Sequence, residues 1–577
     1  MDFLEQLNPQ QRAAVEQGDG PVLIVAGPGT GKTKTLTARI AHIVATGKAR
    51  PGQILALTFT KKAAGEMQER VGLLLKRAGA GGDAQPYIST FHALCHELLG
   101  GGVAFASDAQ RLQIIKQLTK PAELKGVSAR ELGLLISRAK NMAEDDPALT
   151  KLVQQYDASL AALGLADFDD LLVRTRQLLQ TDAAARASVQ KRFSYILVDE
   201  FQDTNRLQYE LLQLLRGNDN LFVIGDPLQS IYGFRGAGGG IFEQFRTDFP
   251  QAMAVALTVN YRSVPEVVAL SNALFPAAPQ LTPHSQAHGR VQAVQVLNEY
   301  SEAAWVLSEI QKAIGGGDML RAVSDDDAGL HHGLRDFAIL YRNRSAALAV
   351  QKAVANSGLP YQVVGEGSPY EQPQVLAVIA LLRAALSGEP AALEGFSRTQ
   401  AKAVQDLLGQ TDGVLPHLLA EKIALLLGFD QSPALRQFAG SLVRFKTLRA
   451  AVSHLDAIEG NQFYDPQADV VTLLTIHASK GLEFPHVFII GAEEGVLPHH
   501  RADPEEEKRL FYVAATRARE RLDILHTMKR GGEPAELSRF VRGTPPALLP
   551  RHTDPNLAAD QRRAQKRAAK NSQQSLF

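Results

Sequence analysis

The sequence predicts an α/β fold with two separate parallel-sheet cores, and three observations support this prediction. The chain has 577 residues, so at roughly 150 residues per domain it should form about four domains. Short apolar runs, each followed by loop residues and a helical pattern, recur in two groups along the chain, as is typical of buried parallel strands. Each group is interrupted by a long, mostly helical stretch, which predicts one insertion in each core.

The strands and domain boundaries follow from these patterns. The first group of strands is predicted at residues 22–25, 54–57, 196–198 and 222–224, and the second at 338–340, 471–474 and 487–490. The predicted domains are a first core at 1–94 and 167–260, a helical insertion at 95–166, a second core at 261–385 and 462–542, and a short helical insertion at 386–461. Residues 543–577 are rich in Pro, Ala, Arg and Gln, which predicts a flexible basic tail.

Composition excludes several classes of protein. Hydrophobic residues make up 45% and charged residues 21%, as in ordinary globular proteins. No apolar run approaches the ~20 residues of a membrane span, and the start of the chain lacks a signal-peptide pattern, so we expect a cytoplasmic protein without membrane contact. The single cysteine, Cys95, excludes an internal disulfide or a Cys-based zinc cluster and should be a small core residue. Lysine plus arginine equal aspartate plus glutamate, 61 each, so any affinity for nucleic acid must come from local patches and aromatic rings.

A phosphate-binding loop follows the first predicted strand. It comprises Ala26, Gly27, Pro28, Gly29, Thr30, Gly31, Lys32 and Thr33. Glycines let the backbone turn its N–H groups toward phosphate oxygens, Lys32 adds positive charge, and Thr33 offers a hydroxyl to Mg²⁺. Alanine replaces the first glycine of the usual pattern. Because strand, loop and apolar helix stand in the required order, the segment predicts a nucleotide site rather than a chance Gly-rich turn.

Paired carboxylates follow a later apolar strand. Asp199 and Glu200 come directly after residues 195–198, which places them at the carboxyl edge of the sheet, where α/β proteins bind ligands. Hydrolysis of a nucleotide needs a metal ligand and a group that activates water. Asp199 is therefore predicted to hold Mg²⁺ and Glu200 to be the general base.

These residues and their neighbours resemble the ordered motif set of the UvrD/PcrA/Rep group of superfamily 1A DNA helicases. The similar segments are 7–11, 26–33, 58–64, 89–92, 195–203, 225–235, 260–263, 475–484 and 512–518. They extend over nearly all of residues 1 to 540, and several motifs in family order are more specific than any one of them. The resemblance implies two RecA-like motor domains, ATP and Mg²⁺ as cofactors, and 3′-to-5′ movement on single-stranded DNA.

The resemblance also implies roles for individual residues. Gln11 would read the adenine edge, Gln229 would link the γ-phosphate to DNA, Tyr261 would stack on adenine, Arg262 would reach the γ-phosphate and Arg517 would be the arginine finger. Arg39, Gly481 and Glu483 complete the predicted nucleotide-contacting set. The DNA-contacting set would be Thr58, Phe59, Thr90, Phe91, His92, Tyr232, Phe234, Arg235 and His477. Family members commonly have tryptophan where this chain has Phe234, which offers a smaller stacking surface.

Arg262 and Arg517 flank or lie in the second core, whereas Lys32 and the carboxylates lie in the first. We therefore expect ATP to bind in a cleft between the cores, which closes on the γ-phosphate and opens after hydrolysis. Asp503, Pro504 and Glu506 form a helix-start pattern that predicts a helix carrying Arg517. The alternative is that Arg517 is one charge on a solvated basic helix, beside Arg509, Arg519 and Arg521.

The tail carries a basic run and then Gln573-Gln574-Ser575-Leu576-Phe577. The run could contact DNA phosphates or be a solvated tail. The last five residues resemble the peptide by which bacterial repair and replication proteins bind the sliding clamp. Leu576 and Phe577 would fill an apolar pocket and Gln573 would make polar contacts.

The sequence thus predicts an ATP-dependent 3′–5′ helicase or single-stranded DNA translocase, acting on single strands and on junctions of single- and double-stranded DNA in repair, recombination or replication restart. Because the second insertion is short, the alternative is a non-processive translocase, or a clamp-tethered factor that clears proteins from DNA with little unwinding. Two further alternatives are the motor subunit of a helicase–nuclease complex and a scaffold with a vestigial ATPase. ATPase activity measured with and without single-stranded DNA separates motor from scaffold.

Overall fold

The structure is a computed structural model. It describes residues 2–79, 85–118, 128–142, 147–233, 240–315, 332–365, 370, 372–387, 397–409, 413–459 and 464–557. The chain divides into two compact units: unit 1 contains residues 1–268, 275–287 and 505–512, and unit 2 contains residues 269–274, 288–504 and 513–577. Among the described residues, no helix combines the length and the apolar character needed to cross a bilayer.

Unit 1 is built on a six-stranded parallel sheet. Its elements, in chain order, are α1 (Asp2–Glu5), α2 (Pro9–Glu16), β1 (Val22–Ala26), α3 (Lys32–Ala45), β2 (Ile54–Thr58), α4 (Lys61–Arg77), β3 (Tyr87–Thr90), α5 (Phe91–Leu98), α6 (Asp108–Leu118), α7 (Ala129–Met142), α8 (Pro147–Ala162), α9 (Phe168–Thr181), α10 (Ala183–Arg192), β4 (Tyr195–Val198), α11 (Arg206–Leu215), β5 (Leu221–Gly225), α12 (Ile241–Asp248), β6 (Met253–Leu257), β7 (Val259–Asn260), α13 (Pro265–Leu274) and β8 (Thr282–Pro283). The strand order is β3-β2-β4-β5-β1-β6, so β1 lies between β5 and β6 and two strands away from β4.

All four strands predicted for the first core are present, and they are buried along nearly their whole length. Such strands are apolar on both faces because helices cover both sides of the sheet. The predicted helical insertion is also present: α6, α7 and α8 share a small core of their own, which includes Leu132, Ile136 and Tyr156. Cys95 lies instead in the core beside the sheet, and burial raises the pKa of its thiol to about 12, so its prediction as a core residue is confirmed.

Unit 2 contains a seven-stranded sheet in which all neighbouring strands are parallel. Its elements are β9 (Arg290–Val296), α14 (Glu299–Ala313), β10 (Phe337–Tyr341), α15 (Arg344–Ser357), β11 (Tyr361–Val364), α16 (Pro373–Ser387), α17 (Arg398–Leu408), α18 (Pro416–Leu426), α19 (Pro433–Leu442), α20 (Leu448–Glu459), β12 (Val471–Thr475), β13 (Phe484–Ile489), β14 (Ala518–Thr527), β15 (Lys529–Arg530), β16 (Glu533–Pro534), α22 (Arg539–Arg542) and β17 (Arg551–Thr553). Two helices are divided between the units: residues 505–512 of α21 (Pro504–Ala515) belong to unit 1, and residues 269–274 of α13 belong to unit 2. The strand order is β11-β12-β10-β13-β14-β9-β17. Two parallel-sheet cores, each carrying a helical insertion, confirm the predicted fold class.

Two segments of unit 2 differ from the sequence-based expectation. The helical insertion has one core that already includes Val375 and Leu382 of α16, so it begins before residue 386. Within the segment expected to be a tail, Arg551–Thr553 pair with residues 293–295 of β9, and Leu549 is fully buried. A three-residue strand that adds to a sheet edge has too little periodicity to stand out in a sequence. Residues 558–577, which include the predicted clamp peptide, lie outside the described residues.

Candidate functional site

The loop between β1 and α3 has the backbone that phosphate binding needs. Gly29 and Gly31 have φ values of 69° and 84°, in the left-handed region that glycine adopts at little cost. Lys32 and Thr33 begin α3, so N–H groups at the helix start lie next to those of the loop, an arrangement that binds anions. The Lys32 ammonium lies 3.4 Å from the carbonyl oxygens of both Ala26 and Gly27, folded back along the loop.

Gln11 lies directly against this loop. Asn8 caps α2, and Gln11 completes a capping box with it, which fixes the start of the helix. The buried Gln11 side chain donates from Nε2 to the Thr30 carbonyl at 2.8 Å. A Cβ at Gly31 would lie 2.7 Å from that same Nε2, so only glycine at this position lets Gln11 approach so closely.

Tyr261 and Arg262 also lie against the loop, at Gly29. The Tyr261 amide donates to the Gly29 carbonyl at 2.9 Å, and Asn260 Nδ2 donates to the Pro28 carbonyl at 2.8 Å. A Cβ at Gly29 would lie 2.6 Å from the Arg262 Cβ. Both residues therefore belong to unit 1, not to the second core in which the sequence analysis placed them. The turn after β7 brings them back to the phosphate loop.

The two carboxylates stand at the carboxyl end of β4, as predicted. Asp199 is buried, and its Oδ1 accepts from the Glu200 amide at 3.0 Å. Burial, and secondarily the charge of Glu200, raise the pKa of Asp199 to about 7, against the opposing effect of Lys32. Glu200 is the one non-glycine residue of the described chain with a positive φ, at 49°. Strained backbone of this kind is typical of functional sites.

Gln202 and Asp226 complete the pocket, and neither was predicted as a site residue. The Gln202 amide group donates to Glu200 and accepts from the Asp226 amide at 2.8 Å. Gln229 Nε2 donates to Asp226 Oδ2 at 2.8 Å. Burial raises the pKa of Asp226, again opposed by Lys32. A signal was available for both: Gln202 and Asp226 follow the neighbouring strands β4 and β5, whose carboxyl ends meet at one edge of the sheet.

Unit 2 brings Arg517 together with the segment that contains Gly481 and Glu483. Arg517 is 1% exposed, and its guanidinium donates to the carbonyl oxygens of Val513 and Leu482 at 2.9 and 3.0 Å. Arg517 therefore stabilises the loop that contains Gly481, Leu482 and Glu483. That Arg517 and Lys32 face one nucleotide stays a prediction.

The local structure around Arg517 corrects two expectations. Helix α21 begins at Pro504, as predicted, but ends at Ala515, so Arg517 lies in the turn after the helix and not on it. Arg519 and Arg521 belong to β14, and Arg517 is buried, so the alternative of a solvated basic helix is wrong. Ala518 opens a strand because its segment pairs with β13, a tertiary contact that helix periodicity cannot reveal.

Arg39 is buried in unit 1 at some distance along α3 from the loop. Its guanidinium donates to the carbonyl oxygens of Val15 at 2.8 Å and of Gly18 at 3.0 Å. Arg39 thereby fixes the segment that follows α2, which carries Gln11. Its predicted contact with the nucleotide stays a prediction.

A cavity of about 750 Å³ opens in unit 1 between the sheet and the helical insertion. Six of the predicted DNA-contacting residues line it: Thr58, Phe59, Thr90, Phe91, His92 and Tyr232. Phe234 and Arg235 lie outside the described residues. His477 lies in unit 2, in the turn that follows β12.

Two stacked pairs of aromatic rings contribute to this cavity, one through both of its rings and the other through Phe168 alone. Phe59 and Tyr232 have ring centroids 5.4 Å apart and planes within 12° of each other, and Phe59 is 37% exposed. Phe105 and Phe168 stack at 4.8 Å and 7°, and Phe168 is 59% exposed. Phe168 was not among the predicted DNA-contacting residues. Phe168 is the first residue of α9, directly after the capping residue Asp167. A helix does not need a large apolar side chain at its first position.

Two of the predicted DNA-contacting residues that line the cavity also have structural roles. Phe91 is buried and belongs to the core beside the sheet. The Thr90 hydroxyl accepts from the Ala93 amide at 3.3 Å and so caps α5. Their presence in the cavity wall is therefore explained in part by the fold itself.

The fold and the pocket define a phosphate-loop nucleotide-binding protein with paired carboxylates at the end of β4, two strands away from the strand that precedes the loop. Comparison with known families narrows this class. Residues 7–134 and 105–250 match the model of the UvrD/REP helicase N-terminal domain, and residues 255–393 and 448–529 match that of the UvrD-like helicase C-terminal domain.

Individual relatives agree with the family models. The chain is 30% identical to the ATP-dependent DNA helicase UvrD1 of Mycobacterium tuberculosis, over 95% of this chain and 86% of the relative. It is also 30% identical to the ATP-dependent DNA helicase PcrA of Bacillus subtilis, over 95% of this chain and 87% of the relative. This protein belongs to the UvrD-like helicase family.

Proposed function

We propose that this protein is an ATP-dependent DNA helicase that moves 3′ to 5′ along single-stranded DNA, in repair, recombination or replication restart. One observation carries the proposal: a single short segment joins the two candidate sites of unit 1. Gln229 lies in the nucleotide pocket, bound to Asp226, and Tyr232, three residues later, lines the aromatic cavity. The intervening Ser230 and Ile231 are buried.

This segment is suited to coupling hydrolysis to DNA movement. A buried, tightly packed connection does not deform continuously, so a displacement of Gln229 on loss of the γ-phosphate would move Tyr232 as well. The bases that rest on Tyr232 and Phe59 would then shift relative to the sheet. In this proposal Gln229 senses the state of the nucleotide and Tyr232 transmits it to DNA.

In the nucleotide pocket, Lys32 would neutralise the phosphates and Glu200 would accept a proton from the attacking water. The residues fit a magnesium ion, because the Thr33 hydroxyl and the Asp199 carboxylate are the oxygen donors that Mg²⁺ prefers. Burial raises the pKa of Asp199 despite the opposing charge of Lys32, and a bound cation would lower it by offsetting the desolvation of the carboxylate. Bound Mg²⁺ would neutralise the developing phosphate charge.

The adenine would lie between Gln11 and Tyr261. Both are fixed against the loop, Gln11 through the Thr30 carbonyl and Tyr261 through its amide and through Asn8, which donates to the Tyr261 hydroxyl at 2.9 Å. The Tyr261 ring is 43% exposed, which leaves a face for stacking. Arg262 and Arg517 would contribute positive charge to the γ-phosphate during hydrolysis.

The aromatic cavity supports a single strand as the DNA form that binds. A base stacked on an aromatic ring gains roughly 1 to 3 kcal/mol, with little dependence on sequence. Duplex bases cannot stack on protein rings without unpairing, which costs about 1.4 kcal/mol per step on average. Phe59, Tyr232 and Phe168 would therefore bind strands that are already open and would favour opening at a junction.

Strand displacement on tailed duplexes tests the proposal. Substrates with a 3′ tail, a 5′ tail or blunt ends are incubated with protein, ATP and Mg²⁺, and release of the labelled strand is followed. We expect release from the 3′-tailed duplex only, and none without ATP. Preferential release from the 5′-tailed duplex would contradict the proposed polarity.

The alternative function, translocation with little unwinding, is favoured by one observation. The C-terminal family model matches residues 255–393 and 448–529 but not the segment between them, which contains α17 to α19 of the helical insertion. This part of unit 2 therefore departs from the family pattern. ATP-driven displacement of streptavidin from a biotinylated single strand, without strand release from the 3′-tailed duplex, would favour translocation alone.

We propose further that residues 573–577 bind a sliding clamp. The proposal rests on their similarity to clamp-binding peptides, with Leu576 and Phe577 as apolar anchors and Gln573 as the polar contact. Replacement of Leu576 and Phe577 by alanine should abolish binding to immobilised clamp, whereas Ser575→Ala, in the same peptide, should not. Equal clamp affinity of the double variant and the unmodified chain would refute it.

A further inference from the structure

Three metal-ligating side chains meet in unit 2, outside the residues assigned above. His332, His486 and Glu520 each offer one ligand atom, and these atoms all lie within 4.8 Å of one another. His332 lies shortly before β10, His486 is on β13, and Glu520 is on β14. Since β13 lies between β10 and β14 in the sheet, the three residues come from three adjacent strands or their lead-in segments.

The spacing of the two imidazoles suits a shared metal ion. His332 Nε2 and His486 Nε2 are 3.2 Å apart. A tetrahedral zinc ion holds imidazole nitrogens at about 2.0–2.1 Å, which places two such nitrogens roughly 3.3–3.4 Å from each other. The two ring planes are inclined at 78° to each other.

His486 is held in a buried position beside His332. It is 6% exposed, and its Nδ1 is buried without a hydrogen-bond partner among the described residues. Its Nε2 faces His332 Nε2 and is the ring nitrogen that would bind the ion.

A carboxylate is placed to orient His332. Its Nδ1 lies 3.6 Å from Asp336 Oδ2, beyond hydrogen-bond length but on the side of the ring away from His486. Histidines that bind metals usually turn their second nitrogen toward a carboxylate, which fixes the ring and makes the ligand more basic. Asp336 is itself fixed, because its Oδ2 accepts from the Gly333 amide at 2.9 Å.

We propose that His332, His486 and Glu520 form a binding site for a divalent transition metal of the zinc class. Two imidazoles and one carboxylate are a ligand set that zinc accepts, with water in the fourth position. The ion would join the lead-in to β10 to strands β13 and β14. Glu483 and Arg517 directly precede the latter two strands, so the ion would stabilise the part of unit 2 that presents them.

Zinc binding by the full chain tests the site. The protein is stripped of metal and dialysed against buffered Zn²⁺, and bound zinc is counted per chain; Co²⁺ then replaces zinc, and its visible absorption reports coordination geometry. We expect one ion per chain and the spectrum of tetrahedral cobalt. His332→Ala and Glu520→Gln should lose the ion, and Asp336→Asn should bind it roughly 10- to 100-fold more weakly.

A matched control comes from another pair of histidines. His499 and His500 lie with ring centroids 4.6 Å apart, and His500 is exposed. His500→Ala should leave the stoichiometry and the cobalt spectrum unchanged. Loss of zinc in His500→Ala with retention in His332→Ala would overturn the proposal, as would a chain that binds no zinc. His332→Ala could lose zinc because the variant is destabilised, which a lower unfolding midpoint of the metal-free protein would show. In that case zinc binding by Glu520→Gln tests the site, because Glu520 is partly exposed and its replacement should disturb the fold less.

Discussion

The nucleotide pocket and the aromatic cavity of unit 1 are built in opposite ways. The pocket consists of buried polar groups that hold one another: Gln202 joins Glu200 to Asp226, and Asp226 holds Gln229. The cavity is lined by rings that stack on each other while part of their surface stays exposed. The pocket can thus fix atoms for a reaction, whereas the cavity can accept many different bases.

This difference sets the size of the effects expected from mutation. A buried polar pocket has no substitute for a lost charge or base, because its dielectric is low and its geometry is fixed. A stacking surface made of several rings loses only part of its affinity with each ring. Mutations in the pocket should therefore have larger effects than mutations in the cavity.

Lys32→Ala should reduce ATP hydrolysis by at least about 10³-fold, since the lysine opposes the charges of both the phosphates and the buried carboxylates. Lys34→Ala is the matched control, because Lys34 lies on the same helix but its ammonium contacts the Gln6 carbonyl at 2.5 Å. Release of inorganic phosphate measures both. Comparable turnover by Lys32→Ala and Lys34→Ala would remove the loop from the mechanism.

Glu200→Gln should lower the rate of hydrolysis by roughly 10²-fold or more while ATP still binds, because the amide keeps the shape of the side chain but cannot accept a proton. Binding of a fluorescent ATP analogue and single-turnover hydrolysis separate the two effects. Glu210→Gln, which alters a carboxylate on α11 that pairs with Arg176 and Arg206, should change neither. A parallel loss of ATP binding in Glu200→Gln would argue against its role as a base.

Tyr232→Ala should weaken binding of single-stranded DNA by roughly 1 to 3 kcal/mol and lower the DNA stimulation of the ATPase, with ATP affinity unchanged. Phe168→Ala should weaken DNA binding but leave the stimulation at saturating DNA intact, because Phe168 is not on the segment that carries Gln229. Tyr300→Ala, which removes a 69% exposed ring of unit 2, is the control. DNA titration of fluorescence anisotropy and of ATPase rate gives both quantities. Identical behaviour of Tyr232→Ala and Phe168→Ala would break the proposed coupling.

Asp199 should make the thermal stability of the nucleotide-free, Mg²⁺-free protein depend on pH. In the folded chain its pKa is raised from 3.8 to about 7, so between these values the folded state holds a proton that the unfolded state has lost. The contribution of Asp199 to stability must therefore decrease as pH rises from about 4 to about 7. The unfolding midpoint of Asp199→Asn should fall less than that of the unmodified protein over this range. An equal fall in both would contradict the raised pKa.

Much of the fold and of the nucleotide pocket could be predicted from the sequence, because these features depend on contiguous residues. The phosphate loop, the strand that ends at Asp199 and the predicted strands of both cores follow local rules of composition and spacing, and the structure agrees. Gln11 illustrates the limit: its role came from family resemblance, whereas its contact with the Thr30 carbonyl depends on how α2 packs over the loop.

The features that the sequence did not reveal depend on tertiary contacts. Arg262 was assigned to the wrong core because the return of β7 to Gly29 is a long-range pairing. Phe168 was missed because one aromatic ring at a helix start has no periodic signal, and its partner Phe105 is distant in the sequence. The strand Arg551–Thr553 forms because β9 offers an edge. His332, His486 and Glu520 lie on separate strands, so no spacing rule could have grouped them.

The most direct test of the central claim, that one segment couples nucleotide to DNA, is the rate of ATP hydrolysis with and without saturating single-stranded DNA, measured for the unmodified chain and for Tyr232→Ala. We predict a rate that rises strongly with DNA in the unmodified chain, an unchanged rate without DNA in the variant, and little rise when DNA is added to it. A rate in the unmodified chain that DNA does not alter, or a full rise in Tyr232→Ala, would contradict the account.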